Sequence, residues 1–215
     1  MMWLTDKIEF PKPETASEEG VIALGGDLSE ERLVLAYQSG IFPWYSDEEP
    51  IVWYCPAERM VLFPEDLKVS KSMKQIVRKS QFSITENNAF EEVVFNCKHI
   101  LRNDDFGTWI TDDMEQAYIH LHKKGIVKSI EVWQFNSAIN KQELVGGLYG
   151  IDLGNGVFCG ESMFSLVSNT SKLAFIHLVQ NYNYKLIDCQ VYNDHLASLG
   201  AREIPRSEFL ELLKA

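Results

Sequence analysis

Residues 144–164 read Leu144-Val145-Gly146-Gly147-Leu148-Tyr149-Gly150-Ile151-Asp152-Leu153-Gly154-Asn155-Gly156-Val157-Phe158-Cys159-Gly160-Glu161-Ser162-Met163-Phe164. Two apolar runs of strand length flank Gly154-Asn155-Gly156. Gly and Asn tolerate the positive φ of tight hairpin turns, so this stretch predicts a central antiparallel hairpin. Outward from it, Ser129 to Phe135 alternates like another strand, residues 170–181 read as a helix, and Lys185 to Val191 as a strand. Thr111, followed by Asp112 and Asp113, opens a helix that ends at Gly125. Residues 69–79 and 88–98 predict two more helices with the strand Phe82-Ser83-Ile84-Thr85 between them, and a last helix covers about 207–214. Strands alternating with helices around one hairpin indicate an α+β or α/β domain.

The first 66 residues read as a separate small unit. Ser29 is a plausible N-cap with Glu30 and Glu31 in the first turn, Leu33, Ala36 and Tyr37 follow at helical spacing, and Gly40 supplies the stop. Ile41-Phe42-Pro43-Trp44 reads as a bulky loop, and Ile51 to Tyr54 and Met60 to Phe63 as short strands. The expected division is 1–66 and 67–215.

Charge separates the two parts further. The chain of 215 residues carries a net charge of −11. Residues 1–66 hold 14 acids and 4 bases, and the remainder 17 acids and 16 bases. Overall acidity argues against nucleic-acid binding. Within residues 68–79, however, Lys68, Lys71, Lys74, Arg78 and Lys79 occur with no acid, either as a solvated helix face or as a phosphate-contacting stripe. Cys55, Cys97, Cys159 and Cys189 form no Cys-x-x-Cys pair and are expected reduced. There is no His-Glu-x-x-His motif, and no metal is expected. No apolar run approaches the roughly 20 residues that span a bilayer, and the N-terminus lacks the form of a secretory signal, so a cytoplasmic protein without membrane contact is expected.

Two polar interruptions stand out in the apolar strands. Glu161 lies in Val157-Phe158-Cys159-Gly160-Glu161-Ser162-Met163-Phe164, where a carboxylate must be exposed by a bulge, partnered, or turned outward from the strand. In Ile187-Asp188-Cys189-Gln190, strand alternation puts Asp188 and Gln190 on one face and Ile187 and Cys189 on the other. Trp44, Trp53, Trp109, Phe158, Phe164 and Phe175 supply aromatic weight for a core or a pocket wall.

Read in order, these segments resemble the leucyl/phenylalanyl-tRNA–protein transferase family. The resemblance runs through Leu24-Gly25-Gly26-Asp27-Leu28, Gly40-Ile41-Phe42-Pro43-Trp44, Gly107-Thr108-Trp109-Ile110-Thr111, Gly146 to Gly150, Phe158 to Phe164, Ser171-Lys172, Leu186 to Val191 and His195 to Ala201. The chain departs from the family pattern at Trp53-Tyr54, where a double Trp is usual, and at Pro56-Ala57-Glu58-Arg59, where Pro-Asp-Pro-Arg is usual.

The resemblance implies an α+β architecture, with a small N-terminal domain and a mixed-sheet C-terminal domain related to the acetyltransferase (GNAT) fold. It implies transfer of Leu or Phe, and less readily Met, from Leu-tRNA or Phe-tRNA to proteins that begin with Arg or Lys, which marks them for degradation. No cofactor is used, since aminoacyl-tRNA is itself a substrate. The Arg/Gln-x-x-Gly-x-Gly/Ala loop that an acetyl-CoA–dependent enzyme of that fold needs is missing from the sequence.

The expected site follows. Gln190 orients the amine or carbonyl and Asp188 holds Gln190; the resemblance implies that Glu161, standing apart on another strand, contacts the aminoacyl end, and either Asp188 or Glu161 takes up the proton. Leu148, Phe158, Met163, Phe175, Leu178 and Ile187 are expected to form the apolar side-chain pocket, Ser171, Phe175 and Leu178 sharing one helix face by spacing. Trp53 and Trp109 are expected to stack on the terminal adenine, Tyr118 to contact the adenosine, and the basic stretch to hold tRNA phosphates.

Overall fold

The structure is a computed structural model that describes residues 2–79, 81–100 and 109–214. Gly107 and Thr108 of the family-like segment therefore lie outside the described residues. The N-terminal part provides β1 (Met2–Leu4), β2 (Val21–Gly25), α1 (Glu30–Gln38), β3 (Phe42–Pro43) and β4 (Val52–Tyr54). The four strands form a sheet in the order β1-β2-β4-β3. Ser29 occupies the N-cap of α1 without a side-chain cap. Instead its N–H donates to Asp27 Oδ1 at 2.9 Å, and Asp27 also receives Arg32 at 3.2 Å. Gly40, at φ +74°, ends this turn of chain as its spacing predicts.

The remaining elements are β5 (Glu58–Leu62), α2 (Lys71–Lys79), β6 (Phe82–Glu86), α3 (Phe90–His99), α4 (Asp112–Lys123), β7 (Val127–Asn136), β8 (Lys141–Asp152), β9 (Val157–Ser165), α5 (Thr170–Asn181), β10 (Leu186–Gln190), α6 (Asp194–Ala197), β11 (Arg202–Pro205) and α7 (Arg206–Lys214). Seven strands form one mixed sheet in the order β11-β5-β10-β9-β8-β7-β6. The β8–β9 hairpin sits near its centre, and Gly154 and Gly156 take φ of +72° and +85° in the turn. β9 and β10 run parallel, joined by the α5 crossover, and the other neighbours are antiparallel. Thr111 caps α4 by accepting the Met114 N–H at 3.2 Å. β5 lies before the expected boundary at residue 66, yet it belongs to the large sheet, between β10 and β11. Its run Met60-Val61-Leu62 is buried on both faces, as a central strand must be.

Two apolar cores cover the two faces of this sheet. One gathers α1, α3, α4, α7 and the N-terminal unit, and the other gathers α2 and α5. Phe158 and Phe164 are six residues apart, so an unbroken strand would aim both at one face. Phe158 lies in the α5 core and Phe164 in the α4 core. The parity changes because β9 carries one extra residue there. Tyr149 pairs with Ser162 and Gly150 with Gly160, leaving Glu161 as the bulge.

The bulge depends on Gly150. A Cβ at that position would lie 2.3 Å from the Cys159 carbonyl oxygen and 2.6 Å from the Phe158 ring, and backbone cannot step aside as a flexible side chain can. We expect Gly150→Ala to cost at least about 2 kcal/mol. Urea denaturation with an unchanged m-value would measure it, and a midpoint equal to the parent's would show that the strand absorbs the methyl group.

Candidate active site

β9 and β10 pair from Val157 with Leu186 to Cys159 with Asp188, and their pairing stops there. Just beyond, each strand is irregular against its outer neighbour: β9 bulges at Glu161, and β10 shifts register against β5 between Asp188 and Gln190. A cavity of about 1170 Å³ opens where the strands part. It exceeds the roughly 300–1,000 Å³ of ordinary small-molecule pockets, leaving room for more than an amino-acid side chain.

One wall is apolar. Leu148, Phe158, Met163, Phe175 and Leu178 line it, with Ser171, Phe175 and Leu178 on one face of α5 as their spacing predicts. Ile187 does not line the cavity. It points into the α5 core at 1% exposure, a correction to its expected place in the pocket. The opposite wall comes from the N-terminal unit through Phe42, Trp44, Tyr45 and Tyr54, with Trp109 beside them.

Trp53 is also corrected. It is fully buried, donates its Nε1–H to the Gly25 carbonyl at 2.9 Å and packs against Phe10, so it presents no face to a nucleobase. Successive strand residues face opposite ways, so only one of Trp53-Tyr54 reaches the cavity, and it is Tyr54. The exposed indole on this wall is Trp44, tilted 5.6 Å from Tyr54. Of the two expected settings for Trp44, core or pocket wall, the structure shows the wall.

The polar centre differs most from expectation. Asp188 is fully buried and both its oxygens are engaged. Arg59 donates Nε–H to Oδ1 at 2.8 Å and Nη2–H to Oδ2 at 2.6 Å, and the Gln190 N–H donates to Oδ1 at 2.9 Å. Asp188 thus holds Gln190 by its main chain, with both carboxylate oxygens committed to a buried guanidinium. Gln190 takes φ +63°, rare for a residue with a Cβ and common at functional sites. Its Nε2–H donates to Glu161 Oε1 at 2.8 Å. Glu161 therefore does not stand apart, and its side chain, not that of Asp188, is the direct partner of the Gln190 amide.

Tyr118 donates to Glu161 Oε2 at 2.9 Å and is buried beneath the cavity, which corrects its expected place as an adenosine contact. Burial pushes the Glu161 carboxyl up to about 7, and the charge of Asp188 adds to the rise. The phenols of Tyr37 and Tyr118 and the cation of Arg59 pull it back. The result is a carboxyl beside the cavity that exchanges protons near neutrality, as general acid–base catalysis needs.

Lys68, Lys71, Lys74, Arg78 and Lys79 are all exposed, on α2 or just before it, while Met73 and Ile76 anchor that helix to the core. None of the five lines the cavity. Among the described residues no three His, Cys, Asp or Glu side chains converge as a metal site, and no helix is long and apolar enough to cross a membrane.

The raised Glu161 carboxyl has a consequence for stability. Folding favours its neutral form, so its contribution is fully present below the ordinary value of 4.5 and is lost as pH rises through about 7. Glu161→Gln removes this titration. Its stability relative to the parent should improve by about 3 kcal/mol between those limits. Denaturation midpoints at several pH values would show it, and a flat difference would mean that Glu161 titrates normally.

Comparison with known proteins identifies the family. The family model described as "Leucyl/phenylalanyl-tRNA protein transferase" matches residues 61–214, and that of the family's N-terminal domain matches residues 26–57. The chain is 56% identical over 218 residues to the leucyl/phenylalanyl-tRNA–protein transferase of Flavobacterium johnsoniae, with 100% of both chains covered. Identity to that of Yersinia enterocolitica is 52% over 209 residues, covering 95% of this chain and 84% of the other. A solved GCN5-related N-acetyltransferase from Kribbella flavida matches loosely, at 10% identity and a TM-score of 0.39 over 79% of this chain and 58% of that one. The chain belongs to the leucyl/phenylalanyl-tRNA–protein transferase family, and is an aminoacyltransferase that moves an amino acid from aminoacyl-tRNA onto protein.

Proposed function

We propose that this chain transfers Leu or Phe, and less readily Met, from aminoacyl-tRNA to the N-terminal Arg or Lys of cytoplasmic proteins, whose new N-terminus then directs them to proteolysis. The observation that carries this reading is the Gln190 amide bonded to Glu161 at 2.8 Å, on a cavity whose adjoining wall is apolar. An apolar wall suits Leu and Phe, and Met163 in it adapts to either shape. The carboxylates of Glu161 and Glu49 on the same cavity suit a cationic acceptor.

The reaction joins the acceptor's α-amine to the ester carbonyl of aminoacyl-tRNA. A C–N bond forms, the ester C–O bond breaks, and the amine's proton passes to Glu161 and from there to the departing ribose oxygen. An α-amine with a pKa of roughly 8 needs only modest help from a base, and Glu161, at about 7, is poised to give it. Gln190 orients the reacting groups, and Asp188 with Arg59 holds Gln190. Bringing amine and ester together supplies much of the remaining barrier reduction, on the order of 7 kcal/mol. No cofactor enters, since the ester arrives activated. In this scheme Trp44 and Trp109 flank the terminal adenine, a stacking contact worth roughly 1–3 kcal/mol per base, and the exposed cations of α2 meet tRNA phosphates.

Transfer of labelled Leu from Leu-tRNA to a peptide beginning with Arg tests the reading directly. Glu161→Gln and Gln190→Ala should each lower turnover on the order of 100-fold in folded protein. Normal rates in both would sink the assignment. Replacing Lys71, Lys74 and Arg78 together by Ala should weaken tRNA binding and flatten its dependence on log salt by up to about 2–3 in slope. An unchanged slope would make α2 a merely solvated face.

A further inference from the structure

A file of buried oxygen atoms leads from the N-terminal unit to the cavity. The Tyr37 hydroxyl on α1 lies 2.7 Å from that of Tyr118 on α4, and Tyr118 donates to Glu161 Oε2 at 2.9 Å. Both tyrosines are 1% exposed and neither lines the cavity. Gln190 occupies the other oxygen, Oε1. Tyr37 itself touches none of the reacting groups of the substrates.

We propose that Tyr37 is a positioning residue of the transfer reaction: together with Tyr118, it holds Glu161 in the ionised form that accepts the amine's proton. This rests on Glu161 being the proton acceptor, as proposed above.

Counting protons supports it. Burial and the nearby Glu161 push both phenols well above their ordinary range, so each keeps its one proton. With Glu161 ionised, Tyr118 gives its proton to Oε2 and Tyr37 gives its proton to Tyr118, so every donor finds an acceptor. With Glu161 neutral, Oε1 still faces the Gln190 amide hydrogen, and the acid proton must sit on Oε2, against Tyr118. Tyr118 then turns its proton onto Tyr37, whose own proton loses its acceptor in this file. A buried donor left without an acceptor is costly, so the two phenols favour the carboxylate while burial opposes it.

The other groups facing Glu161 do not replace this control. Arg59 on β5 and Asp188 on β10 act on it with opposite signs, Cys159 on β9 is a thiol that burial keeps protonated, and Tyr149 on β8 packs its ring against Tyr118 at 5.5 Å. The N-terminal unit therefore does more than wall the cavity, because its helix α1 carries the first member of the file.

The test is a ¹³C-carboxyl NMR titration of Glu161 in the full chain, with the resonance assigned by its loss in Glu161→Gln. It is run on the parent, Tyr37→Phe and Tyr118→Phe, beside the pH dependence of single-turnover transfer. We expect the Glu161 midpoint to rise by roughly half a unit to one unit in Tyr37→Phe and further in Tyr118→Phe, with the rate profile following both. An unmoved NMR midpoint in folded Tyr37→Phe overturns the proposal. Should that variant fail to fold, an unmoved midpoint in Tyr118→Phe overturns it equally, because the file is built on the bond from Tyr118 to Oε2. If the titration shifts while the rate profile stays, the proton-acceptor reading of Glu161 fails, and with it the role of Tyr37 in the reaction, while the hydrogen-bonded file itself stands.

Discussion

The buried pair of Arg59 and Asp188 is the joint on which the site hangs. A carboxylate and a guanidinium out of water gain little net stability, because desolvation offsets much of their attraction, but they dictate geometry strictly. Here the pairing is bidentate, and the guanidinium is sandwiched between Phe42 at 4.6 Å and Phe209 at 4.7 Å. Among the described residues its Nη1 atom has no hydrogen-bond partner. One side chain thereby links β5, β10, the N-terminal unit and α7. Asp188 in turn fixes the N–H of Gln190, and that grip sustains a left-handed φ which costs on the order of 1 kcal/mol.

The remainder of the polar centre comes from irregularity in otherwise regular strands. A parallel pair that stays joined would bury Glu161 against β10 with no space for substrate. The bulge in β9 and the register shift in β10 fall at the same level of the sheet, just past the last paired residues. They swing Glu161 and Gln190 toward each other across the opening. Gly150 permits the first irregularity by having no side chain, and the Asp188 carboxylate supports the second.

Most elements were legible in the sequence because they follow from local rules. The hairpin turn at Gly154-Asn155-Gly156, the Thr111 cap and the α5 face of Ser171, Phe175 and Leu178 each depend on neighbours a few residues away. β11 was not read, because Arg202-Glu203-Ile204-Pro205 offers only one apolar residue to its sheet, at Ile204. The site was half legible. Glu161, Asp188 and Gln190 stood out as polar residues among apolar ones, but their partners did not. The span from Arg59 to Asp188 is 129 residues, and nothing in strand periodicity tells which cation meets which anion across it. The contact between Glu161 and Gln190 was not legible for the same reason. Alternation puts Asp188 and Gln190 on one face, whereas the bulge that brings Glu161 to Gln190 is invisible to a period of two.

The place of β5 in the large sheet bears on how the chain is made. Both of its hydrogen-bonded neighbours, β10 and β11, lie in the last thirty residues or so of the chain. During synthesis Met60-Val61-Leu62 leaves the ribosome long before any strand exists to flank it, and non-local pairings of this kind are slow to form. The acidic surroundings, with 14 acids in the first 66 residues, keep that early segment repelling its own copies while it waits. A nascent chain stalled before residue 186 would thus present a finished N-terminal sheet and an orphan hydrophobic strand, with Arg59 still without its Asp188 partner.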